Sequence, residues 1–139
     1  MNSVLVDTSV WIDFFNGAED SKEAGVLQLL IDENYEICIC PTIYQEILQG
    51  IKDDKVFEEI KDILNSFKLL DMDIMIITGH SIELYRSLRK KGITIRKSND
   101  CLIASYAILN DVPVFHKDRD FDQISLGSKL KIFKFHLSE

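Results

Sequence analysis

Apolar positions along this chain recur with two periods. Ser3-Val4-Leu5-Val6 is a short apolar run that predicts a strand, and Asp7-Thr8-Ser9 stands where it can cap a helical run through Val10, Trp11, Ile12, Phe14 and Phe15, ended by Gly17. A second helix fits Lys22 to Glu33, with Val26, Leu29 and Leu30 on one face. Glu36-Ile37-Cys38-Ile39-Cys40 alternates as a strand does, and Pro41 suits the first turn of a helix that runs through Leu48 and closes at Gly50. Val56, Phe57, Ile60, Ile63, Leu64 and Phe67 predict a helix over 54–67, followed by a short strand at 69–72 and a helix from Ile74 to Lys91-Gly92. Ser98-Asn99-Asp100 offers cap residues before the apolar run 101–109, and residues 112–116 and 131–135 are the last two strand candidates. Short strands separated by helices of ten or more residues predict an α/β fold with a mostly parallel central sheet covered on both faces.

Length and composition narrow this picture. The 139 residues, 46% of them apolar, suit one domain over 1–139 with one core. The longest nearly uncharged apolar stretch, Ile74 to Ile82, is interrupted by Thr78, Gly79, His80 and Ser81 and is too short to cross a bilayer. Met1 to Val6 leads straight into Asp7 without the ordered segments of a signal peptide. A cytoplasmic protein with no membrane association is expected. Cys38, Cys40 and Cys101 do not make a disulfide framework, and no second cysteine or histidine pair completes a zinc set with the Cys38–Cys40 pair.

The net charge of −7 argues on its face against a nucleic-acid binder, but the charge is unevenly spread. Residues 1–85 carry 17 acidic and 5 basic side chains, whereas residues 86–139 carry 6 acidic and 11 basic. Within the second part, Arg86, Arg89, Lys90, Lys91, Arg96 and Lys97 run without an acid between them. That run fits a solvated helix end and loop as well as a phosphate-contacting patch.

Side chains just past the carboxyl ends of parallel strands face a common crevice. Asp7 follows the first strand, Asp118 and Asp120 follow the strand ending near His116, Asp100 opens a helix entering from the same side, and Glu46 lies on the helix after the second strand. Converging carboxylates repel one another unless protonated or neutralised, and hard divalent ions such as Mg²⁺ or Mn²⁺ prefer such all-oxygen sets. An ion there can activate water for attack on a phosphodiester. Each acid also has a plainer interpretation. Asp7 and Asp100 can be cap residues, Glu46 a solvated helical acid, and Lys117 to Asp122 a charged surface turn anchored by Phe121.

Four segments together sharpen the choice: Val6 to Phe15, Pro41 to Gly50, Ile95 to Ala104 and His116 to Phe121. In this order they resemble the PIN-domain family, and more narrowly the VapC-type toxic endoribonucleases of prokaryotic toxin–antitoxin pairs, over residues 4–135. The resemblance implies a three-layer α/β/α domain, Mg²⁺-dependent cleavage of RNA with Mn²⁺ able to substitute, homodimerisation and a cognate antitoxin. It also assigns Asp7, Glu46 and Asp100 to an acidic metal cluster, with Asp118 and Asp120 at its fourth position. Asp118 is expected as the inner residue and Asp120 as a nearby or water-mediated one.

Around that cluster, Thr8 and Ser9 are candidates to bond a carboxylate or to cap, Asn99 to orient Asp100 or to cap, and Arg96 with Lys97 to hold RNA phosphates. His80, His116 and His136 have no convincing general-base position, so a metal-activated water is preferred. Trp11, Phe14 and Phe15 are core candidates, with an aromatic lip for RNA bases as the other option. The apolar faces of helices 22–33 and 54–67 are divided by nothing in the sequence between core and dimer or antitoxin contacts. A Mg²⁺-binding receiver-like signalling domain also places carboxylates at strand ends, although no G-x-x-x-x-G-K-[ST] loop is present. A catalytically silent RNA- or protein-binding module is the remaining alternative.

Overall fold

A computed structural model describes residues 2–135 of the chain. Its elements are β1 (Ser3–Val6), α1 (Thr8–Phe15), α2 (Lys22–Asp32), β2 (Glu36–Ile39), α3 (Pro41–Gln49), α4 (Asp54–Leu64), β3 (Lys68–Leu69), α5 (Ile74–Lys90), α6 (Ser98–Leu109), β4 (Val114–Phe115) and α7 (Arg119–Leu126). Five of the seven helices begin where a short polar side chain accepts a bond from an otherwise orphaned backbone N–H: Asp7, Ser21, Asp53, Asp73 and Asp118. Pro41, which lacks an N–H, opens α3. Gly92, at φ +82° just beyond α5, takes the left-handed conformation that lets the chain leave that helix.

All strand pairings are parallel, in the order β3-β2-β1-β4. Val4 lies opposite Ile37, and Leu5 opposite both Cys38 and Val114. The three apolar residues of β1 are wholly buried, which is why this strand is a continuous apolar run rather than an alternating one. The chain steps from β1 to β2 to β3 and then returns across the sheet to β4. Right-handed crossovers consequently put α1–α4 on one face and α5 and α6 on the other, giving the expected three-layer α/β/α fold. No helix among the described residues is long and apolar enough to cross a membrane.

Trp11 ties α1 to the sheet. Its ring is fully buried, its Nε1 donates to the Val6 carbonyl at 3.0 Å, and it stacks on Phe15 and packs against Phe14 and Phe67. Trp11 is core, Phe14, Phe15 and Phe67 are partly buried against it, and together they hold the turn from β1 through Asp7.

The C-terminal third departs from expectation in three places. The plainer alternative for residues 117–122, a charged surface turn, does not hold: α7 begins at Arg119, because Phe121 and Ile124, three apart, bury one face of it while Asp118 caps its start. Residues 131–135 were expected as a strand, yet pair with β4 through a single bridge, Val114 to Ile132. The period-two pattern is nonetheless used: Phe133 and Phe135 both lay their rings against Phe115, at 5.4 Å between centroids. Since β4 is only two residues long, there is no further backbone for the segment to pair with. Finally, α6 starts one turn earlier than its apolar run, so that Asn99 and Asp100 lie in its first turn and Lys97 occupies the cap position without a side-chain bond. His136 lies outside the described residues.

Phe121 holds α7 down, so Phe121→Ala is expected to cost about 3–5 kcal/mol, the usual range for truncating a buried phenylalanine. Urea unfolding monitored by circular dichroism measures this, and a loss below about 1 kcal/mol would show that α7 is not anchored by that ring.

Candidate metal centre

The strand order reverses at β1, which has β2 on one side and β4 on the other. In an open parallel sheet a crevice forms at the carboxyl ends of the strands at such a reversal. Asp7 sits there directly after β1, its backbone N–H bonded to the Phe115 carbonyl at 2.9 Å. Asp118 stands between β4 and α7, Asp120 in the first turn of α7, Asp100 in the first turn of α6, and Glu46 on α3.

One carboxylate oxygen from each of Asp100, Asp118 and Asp120 lies within 4.8 Å of the other two. Asp7 and Glu46, expected with Asp100 at the centre, stand outside that tight set. Asp7 caps α1, its Oδ2 accepting from both the Ser9 N–H at 3.1 Å and the Ser9 hydroxyl at 2.7 Å, and its charge still acts on Asp100. Glu46 is held by the Thr8 hydroxyl at 2.6 Å and by the Asn99 amide at 3.4 Å. Thr8, Ser9 and Asn99 thus each bond a carboxylate of the group, and Asn99 reaches Glu46 rather than Asp100.

The last pair differs in burial. Asp120 is 8% exposed, while Asp118 is partly exposed and spends Oδ1 on the Asp120 N–H at 3.0 Å. Both stand at a helix start, Asp118 as the cap of α7 and Asp120 in its first turn. Arg96 and Lys97, expected on phosphates, lean inward. One Arg96 nitrogen bonds both Asp120 oxygens at 3.0 and 3.1 Å, and Lys97 Nζ lies 3.7 Å from Asp118. No sequence signal marked this pairing, because Arg96 and Asp120 are 24 residues apart.

Burial raises the proton affinity of Asp100, and the charges of Asp7, Asp118 and Asp120 add to it against the opposing charge of Lys97, so its carboxyl is pushed up to about 7. Asp7 is raised as well, chiefly by burial, against the lowering bonds from Ser9 and Thr8. Asp100 Oδ2 is buried without a hydrogen-bond partner among the described residues. A buried carboxylate with one unpartnered oxygen, grouped with two further acids, is the donor set a hard divalent cation takes, and these residues fit such an ion. Among the described residues, no cysteine or histidine group offers a softer metal a comparable set. Burial pushes Cys40 up to about 12 and Cys38 and Cys101 to about 11, which keeps them as thiols. The described histidines bond elsewhere, His80 to Ser105 at 2.8 Å and His116 to Asp122 at 3.1 Å.

The fold and this acidic crevice define a class. The sequence profile described as "PIN domain" matches residues 4–126, and the chain belongs to that family. Within it, the chain is of the VapC type. It is 34% identical over 132 residues to Ribonuclease VapC11 of Mycobacterium tuberculosis, covering 95% of this chain and 98% of the relative. Ribonuclease VapC1 of Methanocaldococcus jannaschii is 29% identical, with 95% and 88% covered. Among solved structures, VapBC2 from Rickettsia felis, bound to a DNA fragment from its promoter, superposes with a TM-score of 0.72 at 21% identity, covering 96% of this chain and 99% of that one.

Crowded carboxylates set the pH dependence of stability. Unfolded, Asp100 releases its proton above pH ~4; folded, it keeps it to about pH 7. Between these values the folded chain holds the extra proton, so its stability from this group is full below pH 4 and falls as pH rises through 7. In EDTA at pH 8, Asp100→Asn is expected to melt a few degrees above the wild type, since about 1 kcal/mol shifts a domain of this size by roughly 4 °C. The gap closes near pH 4 and reverses when Mg²⁺ is added. Thermal scans at the two pH values measure it, and a variant less stable than wild type in EDTA at pH 8 would contradict the charge crowding.

Proposed function

We propose that this protein is a Mg²⁺-dependent endoribonuclease and the toxin of a toxin–antitoxin pair. The observation that carries the assignment is the grouping of acid oxygens from Asp100, Asp118 and Asp120 at the strand-order reversal, where Asp100 also keeps a buried oxygen without a hydrogen-bond partner among the described residues. A receiver-like domain would need one exposed aspartate free to take a phosphoryl group. Here the corresponding strand-end residue, Asp7, is buried and committed to Ser9.

Asp100, Asp118 and Asp120 would hold the ion, with Asp7 and Glu46 beside them. Bound there, Mg²⁺ or Mn²⁺ lowers the pKa of a water and stabilises charge on phosphoryl oxygens. The chain's own residues prepare the place for it. Ser9 fixes Asp7, and Thr8 with Asn99 fixes Glu46, so neither carboxylate swings freely. Arg96 holds Asp120 in place through both of its oxygens, and Lys97 does the same more loosely for Asp118. Both cations are about two-thirds exposed, so each can also meet a phosphate arriving at the crevice.

The proposed biological setting is one cytoplasmic domain, acting as a homodimer and held in check by a cognate antitoxin. The likeness to VapC ribonucleases and to VapBC assemblies supports it. The apolar side chains left exposed on α2 and α4, namely Leu29, Val56 and Ile63, are surfaces such contacts would cover.

Purified protein is expected to cut single-stranded RNA with Mg²⁺ and not with EDTA, and Asp100→Asn to lower the rate at least ~100-fold while circular dichroism stays that of a folded chain. RNA cleavage that persists at the wild-type rate in folded Asp100→Asn would remove the assignment. Asn99→Ala should slow the reaction less, since Thr8 still holds Glu46.

A further inference from the structure

The charge distribution leaves a question about how a negatively charged domain holds RNA. Arg96 and Lys97, the cations nearest Asp100 in sequence, are each turned onto an aspartate. A second basic surface begins at the same crevice. Lys22 at the start of α2, Lys117 and Arg119 around the cap of α7, and Lys134 line a groove of about 490 Å³. All four are exposed. Its two acids are Glu23 and Asp122, and Asp122 is bonded by His116. Lys117 pairs with Asp13, but among the described residues no carboxylate lies within ion-pair distance of Lys22, Arg119 or Lys134.

Resting on the nuclease assignment above, we propose that this groove is the track along which single-stranded RNA leaves the acidic centre, its phosphates held by Lys22, Arg119 and Lys134. The groove is joined to the centre by a short chain of bonds: the Lys117 N–H donates to the Ser9 hydroxyl at 3.2 Å, and that hydroxyl donates to Asp7 at 2.7 Å. Lys117 and Arg119 flank Asp118 in the chain. A strand placed with one phosphate at the carboxylates therefore has its neighbouring phosphates beside unpaired cations. Ile132 and Phe135 add an apolar wall against which a base face can lie, the usual companion of cations in grooves that bind single strands. An acidic protein segment would meet the same cations, but its continuation would run into the carboxylate cluster without a phosphodiester to present there.

The test measures binding apart from cleavage. A fluorescein-labelled 12-nucleotide oligouridylate is titrated with the full chain in EDTA and followed by anisotropy at several salt concentrations. Combining Lys22→Gln, Arg119→Gln and Lys134→Gln is expected to raise Kd at least tenfold at low salt. The slope of log K against log salt should fall by about 2, since each phosphate contact on a single strand contributes roughly 0.7. Combining Lys90→Gln, Lys129→Gln and Lys131→Gln removes the same charge elsewhere and should change Kd less than threefold.

Equal weakening by the two triple variants would overturn the groove in favour of diffuse charge. Tighter binding of a duplex would overturn the single-strand track, and equal competition by polyglutamate of the same length would point to an acidic protein partner instead. No measurable binding by the wild type at low salt would also overturn it. Because all of this is read in EDTA, failure here is separable from failure of the nuclease assignment, which the Asp100→Asn cleavage assay decides.

Discussion

Because β1 pairs in parallel with β2 along one edge and β4 along the other, the chain on either side of it must leave the sheet at the same end in opposite directions. The crevice that results is the place where Asp7, Asp118 and the first turns of α6 and α7 meet. Burial of β1 on both faces makes this arrangement stiff. Trp11, bonded to the last carbonyl of the strand, transmits that stiffness to the turn carrying Asp7. Fold and site are therefore one constraint: a shift of β1 by a single residue would exchange which side chains face each layer and would move Asp7 off the crevice.

Bringing acids together at that point has an energetic cost. Two unit charges held within 4.8 Å of one another repel by at least roughly 3 kcal/mol at an effective dielectric constant of about 20. Most of the surrounding polar groups counter this repulsion. Ser9 satisfies Asp7, Thr8 and Asn99 satisfy Glu46, and Arg96 neutralises Asp120. Asp100 is the residue left over: its Oδ2 is buried and unbonded, and its carboxyl keeps a proton to about pH 7. The group least satisfied by the chain is the one a cation would relieve most, so the cluster is one that could coordinate a divalent metal.

Much of this was legible in the sequence. The parallel sheet follows from apolar runs such as Val4-Leu5-Val6, and five helix starts carry their own capping residues, so existence and order of most elements could be read locally. Within the site, residue identity was readable from the four-segment resemblance, while grouping was not. Whether Glu46 or Asp120 is nearer Asp100 depends on side-chain bonds from Thr8, Asn99 and Arg96, up to 53 residues away in the chain. The helix α7 was hidden because its buried face shows only Phe121 and Ile124 amid charges, and the third apolar residue, Leu126, is 76% exposed. The Phe133–Phe135 alternation was real, but its strand is absent because β4 offers too little backbone.

The start of α7 also explains how one short segment serves opposite charges. Asp118 caps the helix, and each following residue turns by about 100° around its axis. Arg119 is thereby sent outward to solvent and Asp120 inward, where it is buried against Arg96. Had the segment been the loose charged turn that its composition suggests, Lys117, Asp118, Arg119 and Asp120 would largely have neutralised one another. Phe121 prevents this, because anchoring its ring fixes the rotation of the helix and keeps acids on the crevice side and a cation on the groove side. Net charge is thus a poor guide to what such a protein can hold: at −7, this chain still separates an acidic centre from a basic margin within four consecutive residues.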